Sequence, residues 1–124
     1  MVAFELKTKR GLDMTAIIEV GFYPKMTPLE PDQTGWLVTK ADGWPLGTPT
    51  VNLAEYGQYP APGCVFIKVT PEYSGWLESI VGAGLIEPTG RELAAGYVER
   101  YAIEARVLHP KLGGASPVRM GGIA

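Results

Sequence analysis

The run Cys64-Val65-Phe66-Ile67-Lys68-Val69-Thr70-Pro71-Glu72-Tyr73-Ser74-Gly75-Trp76-Leu77-Glu78-Ser79-Ile80-Val81 changes its period halfway along. Val65, Ile67 and Val69 alternate with Cys64, Phe66 and Lys68, and a period of two marks a β-strand. Beyond it Tyr73, Trp76, Leu77, Ile80 and Val81 recur at i, i+3, i+4, i+7 and i+8, one apolar stripe of a helix. Thr70 and Pro71 read as the helix start. A threonine oxygen can accept bonds from first-turn amides, and proline fits the first helical position, where its missing N–H has no use. Glu72 suits the positive end of the helix dipole, and Gly82 and Gly84 stop the helix. A helix of roughly twelve residues is marginal alone in water, so Trp76 and Ile80 are predicted to dock onto a sheet.

The flanking sequence supplies that sheet. Ala16, Ile18, Val20 and Phe22 alternate with Ile17, Glu19, Gly21 and Tyr23, and Pro24 ends the strand. Pro24 to Thr34 reads as a loop. Trp36, Val38 and Lys40 lead into Ala41-Asp42-Gly43-Trp44-Pro45, an Asp-Gly hairpin turn, and Thr50-Val51-Asn52-Leu53 reads as the returning arm. Glu87-Pro88-Thr89-Gly90-Arg91 is turn chemistry, and Glu92 to Ala95 is too short for a firm helical turn. In the closing strand Tyr101, Ile103, Ala105 and Val107 face the core, leaving Arg100, Glu104 and Arg106 outside. The predicted fold class is α+β: a curved antiparallel sheet of about five strands with one amphipathic helix packed on one face. Residues 1–110 form one domain, and 111–124 read as a flexible C-terminal tail.

Composition bounds the function. The 124 residues fit one domain, and 11 basic against 13 acidic side chains give a net charge of -2, which argues against a polyanion-binding surface. The single cysteine, Cys64, excludes an internal disulfide and a cysteine-based zinc cluster. No apolar run approaches the ~18–20 residues of a membrane span. Met1 to Lys7 lacks the pattern of a signal peptide, so a cytoplasmic protein without membrane partners is predicted.

Three stretches carry a resemblance. They are Gly47-Thr48-Pro49-Thr50-Val51-Asn52-Leu53, the Pro60–Thr70 strand with its helix, and Gly84-Leu85-Ile86-Glu87-Pro88-Thr89-Gly90-Arg91 followed by Gly96-Tyr97-Val98. Their order resembles an uncharacterised family of small bacterial domains of unknown function, carried on phages and mobile elements. The resemblance spans Thr34 to Leu108. It implies an α+β fold and a mobile-element setting, and it assigns no activity.

The chemistry-bearing residues are sparse. His109, the one histidine, precedes Pro110 at the edge of the tail, without the nucleophile and orienting partner a catalytic base needs. Cys64 has only Lys68 near it in sequence and reads as a small buried hydrophobe. Glu99 and Glu104 fall on opposite strand faces, unlike a glycosidase pair. No catalytic residue, cofactor or metal site is therefore predicted. Asn52 stands out, because asparagine is depleted in strands and its amide can recognise a ligand or end the strand. Trp36 and Trp44 flank the hairpin, Trp36 as a lid on the sheet; Tyr56 and Tyr59 follow in the next loop, and loop aromatics with arginines nearby mark binding hot spots. The favoured reading is a non-enzymatic protein-interaction domain, a phage or mobile-element accessory that binds a host or phage protein and modulates a host defence system. Its contacts are Trp44, Tyr56 and Tyr59 with Asn52, Arg91 and Arg100. A homodimer through a sheet edge is a further expectation. The second reading is a small-ligand binder or small enzyme using Asn52, Tyr97 or Tyr101, and Arg100. The third is a nucleic-acid module using Arg91, Arg100 and Arg106, disfavoured because Glu92, Glu99 and Glu104 are interleaved with them.

Overall fold

In the computed structural model, which describes residues 1–114, the first half of the chain forms a four-stranded antiparallel meander. Buried Val2, Phe4 and Leu6 alternate with exposed Ala3, Glu5 and Lys7 along β1 (Val2–Lys7), a strand the sequence reading left unassigned. β2 (Asp13–Phe22) pairs with it, Val2 opposite Ile18 and Leu6 opposite Met14. β3 (Thr34–Thr39) follows, placing Val38 opposite Ile18, Trp36 opposite Val20 and Gly35 opposite Gly21. Short β4 (Pro45–Gly47) ends the meander. The β3–β4 turn has the predicted chemistry: Gly43 has φ 89° and its amide donates to the Lys40 carbonyl, while the Trp44 amide donates to the Asp42 carboxylate.

A second antiparallel sheet, in the order β5-β7-β6, is built from β5 (Cys64–Lys68), β6 (Ile86–Ala95) and β7 (Val98–Val107). The single curved sheet expected from the sequence is corrected to two sheets, for two physical reasons. Thr50–Leu53 does not return along β3 but crosses over. Thr50 bridges Ile67, the Val51 amide donates to the Phe66 carbonyl, and the Lys68 amide donates to the Pro49 carbonyl. The second reason is that Glu87–Arg91, read as a turn, belongs to β6. Pro88 and Gly90 (φ 94°) fall where the register against β7 shifts, so a bulge absorbs the turn-forming residues within a strand.

The helix is shorter than the stripe implied. A 3-10 turn at Pro71–Tyr73 precedes α1 (Trp76–Gly82). Gly75 separates them with φ 93°, and a Cβ there would lie 2.8 Å from the Lys7 carbonyl oxygen and the Thr8 Cα. Close passage against the end of β1 thus requires glycine and delays the helix. The Thr70 side chain makes no capping bond, contrary to expectation. Ser79 holds α1 to β1 instead, its Oγ accepting from the Lys7 amide and donating to the Lys7 carbonyl.

Trp76 and Ile80 dock as the stripe predicts. They join Phe4, Leu6, Ile18, Trp36 and Val38 from the meander, and Val65, Ile67, Ile103 and Ala105 from the second sheet, in one core. Trp36 is buried in it rather than lying as a lid, and its indole N–H donates to the Leu112 carbonyl at 3.0 Å. Leu112 is itself fully buried. The assignment of 111–114 to a flexible tail is therefore corrected; 115–124 lie outside the described residues. A second cluster, Leu53, Phe66, Leu93 and Ala102, covers the opposite face of the β5-β7-β6 sheet.

Candidate functional site, a trough where the two sheets meet

One face of the meander carries Glu19 and Gly21 from β2 and Tyr23 just beyond its end, with Gly35 and Leu37 from β3. Gly21 and Gly35 stand directly opposite one another. Tyr23 lies over Gly35, where a Cβ would come within 2.8 Å of its ring, while a Cβ on Gly21 would meet nothing within 4 Å. The result is a strip of bare backbone at Gly21. Glycine inside a strand weakens it and marks a place where another group approaches closely.

Thr48, Thr50, Val51 and Asn52 border this strip where the chain crosses between sheets, and Lys68 and Tyr101 face it from the second sheet. Together they enclose a trough of about 570 Å³. The Thr50 hydroxyl oxygen accepts from the Trp36 amide at 2.9 Å and bonds the Tyr23 hydroxyl at 2.8 Å. Burial pushes the Tyr23 phenol above its usual pKa, with the Thr50 bond opposing. The Asn52 Oδ1 accepts from the Ala54 amide and from Gln33 Nε2. Its side chain thus ends the crossing strand, the structural role, while its Nδ2 has no hydrogen-bond partner among the described residues. Lys68 Nζ donates to Thr48 Oγ1 at 3.2 Å and sits 4.8 Å from the centre of the Tyr73 ring. Lys68 and Tyr101 also line an adjoining hollow with Thr70, Glu72 and Val98, which lengthens the trough.

A separate polar cluster lies on the covered face of the second sheet. Glu104, read as outward-facing, is 5% exposed because the loop from Val51 to Ala61 closes over it. Its carboxylate accepts from the Ala61 amide, the Thr89 hydroxyl and Arg91 Nη1, the last at 2.9 Å. Arg91 also donates to the Tyr59 carbonyl and to Gln58 Oε1, and stacks 5.3 Å from the Phe66 ring. Burial alone raises the Glu104 pKa, but the bonds from Ala61, Thr89 and Arg91 outweigh it and hold the carboxyl below its usual range. Every partner comes from the chain itself, so the cluster fastens a loop to a sheet.

The residues singled out from sequence separate. Trp44 projects from the β3–β4 turn with 67% of its surface exposed. Tyr56 is exposed beside Gly96 at the β6–β7 turn, where Tyr97 is also fully exposed. Tyr59 is half-buried, and Arg91 is held in the Glu104 cluster. Arg100 pairs with Glu92 on the surface, as Arg106 does with Glu87. Of these candidates only Asn52 lines the trough, together with Tyr101 from the second reading. His109 Nδ1 accepts from the Lys111 amide, closing a turn. Cys64 is buried, and burial, then the Glu104 charge, raise its pKa, with Arg106 and Arg91 opposing. Among the described residues no three His, Cys, Asp or Glu side chains gather as metal ligands would. Sequence reasoning missed Gly21, Gly35, Glu19 and Lys68; the signal available was a glycine inside an otherwise regular strand.

No family model, characterised protein or solved structure matches this chain.

Proposed function

We propose that this chain is a protein-binding domain that receives an extended segment of a partner protein in the trough between its sheets. The observation that carries the reading is the bare strip at Gly21, opposite Gly35, bordered by apolar Leu37 and Val51 and by the side chains of Asn52, Lys68 and Tyr101. A side-chain-free strand surface lets a second backbone approach closely, and the bordering groups give that backbone both apolar contact and hydrogen-bond donors. Trp44 and Tyr56, on turns outside the trough, add contacts to a larger partner. The resemblance to mobile-element domains favours a host or phage protein as that partner, within a host defence system.

The test uses Gly21→Val. Its φ is not positive and the space at its Cβ is open, so the fold accepts a side chain there, and valine suits a strand better than glycine. A displayed library of random ten-residue peptides is selected on the immobilised protein. Peptides enriched on the wild type should lose at least about tenfold in affinity for Gly21→Val, while the melting temperature holds or rises. Selected peptides that bind both proteins alike would place the binding surface elsewhere.

A further inference from the structure

We infer that the trough selects a segment carrying charges of both signs, a carboxylate seated at Lys68 and a basic side chain at Glu19. The inference rests on the trough being the binding site, and goes beyond it to the chemistry of the occupant. Both side chains line the trough, Glu19 from the meander and Lys68 from the second sheet. The ion pairs among the described residues are Lys25–Asp32, Arg91–Glu104, Arg100–Glu92 and Arg106–Glu87, so among these residues neither trough charge is taken up in an ion pair. Glu72 feels the Lys68 charge from the adjoining hollow but forms no ion pair with it.

Lys68 is also held in position. Its ammonium is fixed by Thr48 Oγ1 and by the face of Tyr73, and its stem is half-buried. A charge already fixed loses less side-chain freedom on binding. Its partial removal from water strengthens its attraction for a carboxylate relative to an open surface pair. The unpartnered Asn52 Nδ2 supplies a second donor on the same lining. Glu19 is exposed, with Gly21 two residues along its strand and Leu37 opposite it on β3, and neither offers it a counter-charge.

The peptides selected on the wild-type protein test this directly. They should be enriched in Asp or Glu and in Lys or Arg. Replacing the peptide's acid with its amide should weaken binding to the wild type by about tenfold, and have little further effect on Lys68→Gln; the same coupling should link the peptide's base to Glu19→Gln. Melting curves confirm that both variants fold. Peptides whose binding depends on Gly21 yet shows no charge coupling to Lys68 would overturn this inference and leave the trough reading standing. A failure to select any peptide would remove both.

Discussion

Glu104 is surrounded by three donors from two parts of the chain: the Ala61 amide from the covering loop, and the Thr89 hydroxyl and Arg91 guanidinium from β6. Its carboxyl titrates below the ordinary value of 4.5 in the folded protein. A group whose folded pKa is depressed stabilises the fold above its unfolded pKa, and that contribution fades as pH falls through the folded value. Glu104→Gln should therefore cost on the order of 2–3 kcal/mol at neutral pH, less than a fully buried pair because 39% of the Arg91 side chain is exposed. Chemical denaturation followed from neutral pH down through the unfolded value and beyond checks the sign. The gap between wild type and variant should narrow on the acid side of 4.5. A gap that stays constant with pH would mean the charge contributes nothing. Sequence could not place this residue. Arg100, Glu104 and Arg106 look alike along the strand, and only Glu104 lies under the Val51–Ala61 loop, whose path depends on contacts distant in sequence.

At the scale of an element, α1 shows what a seven-residue helix needs. So short a helix does not persist alone; it is held by Trp76 and Ile80 in the core and by Ser79 on Lys7. The Trp76 ring packs against Tyr73, centroids 5.1 Å apart and planes at 60°, and against Gly47 of β4, where a Cβ would come within 3.0 Å of it. Trp76→Ala should cost about 3–5 kcal/mol, the range for deleting a large buried aromatic, read as a lowered denaturation midpoint. An unchanged midpoint would mean the helix does not depend on this anchor. The apolar stripe made the helix legible, and alternation made β2, β3, β5 and β7 legible. β6 was hidden because Pro88, Thr89 and Gly90 carry the composition of a turn while sitting in a bulged strand. The helix start was misplaced by Gly75, whose requirement comes from β1 passing close by and not from its own neighbours.

Across the whole molecule, Pro49–Val51 joins the sheets: its backbone pairs with β5, while the Thr50 side chain reaches β3. Thr50 is 2% exposed. Thr50→Val keeps the shape but strands the Trp36 N–H and the Tyr23 hydroxyl, at a cost of about 1–3 kcal/mol. Thermal unfolding followed by tryptophan fluorescence and by far-ultraviolet circular dichroism should give one shared midpoint, shifted downward together in the variant. Two separated midpoints would mean the sheets melt independently. The trough was only partly legible for the same reason. Asn52 and the in-strand Gly21 are visible in the sequence, whereas Lys68 reaches their neighbourhood only once the crossing segment has brought the second sheet round.

Thr50 also lines the trough. The hydroxyl that rivets the halves of the molecule together thus also lines the mouth that the proposed partner segment would enter. Opening it wider would break the joint itself, so the proposed binding calls for an occupant whose outline already matches.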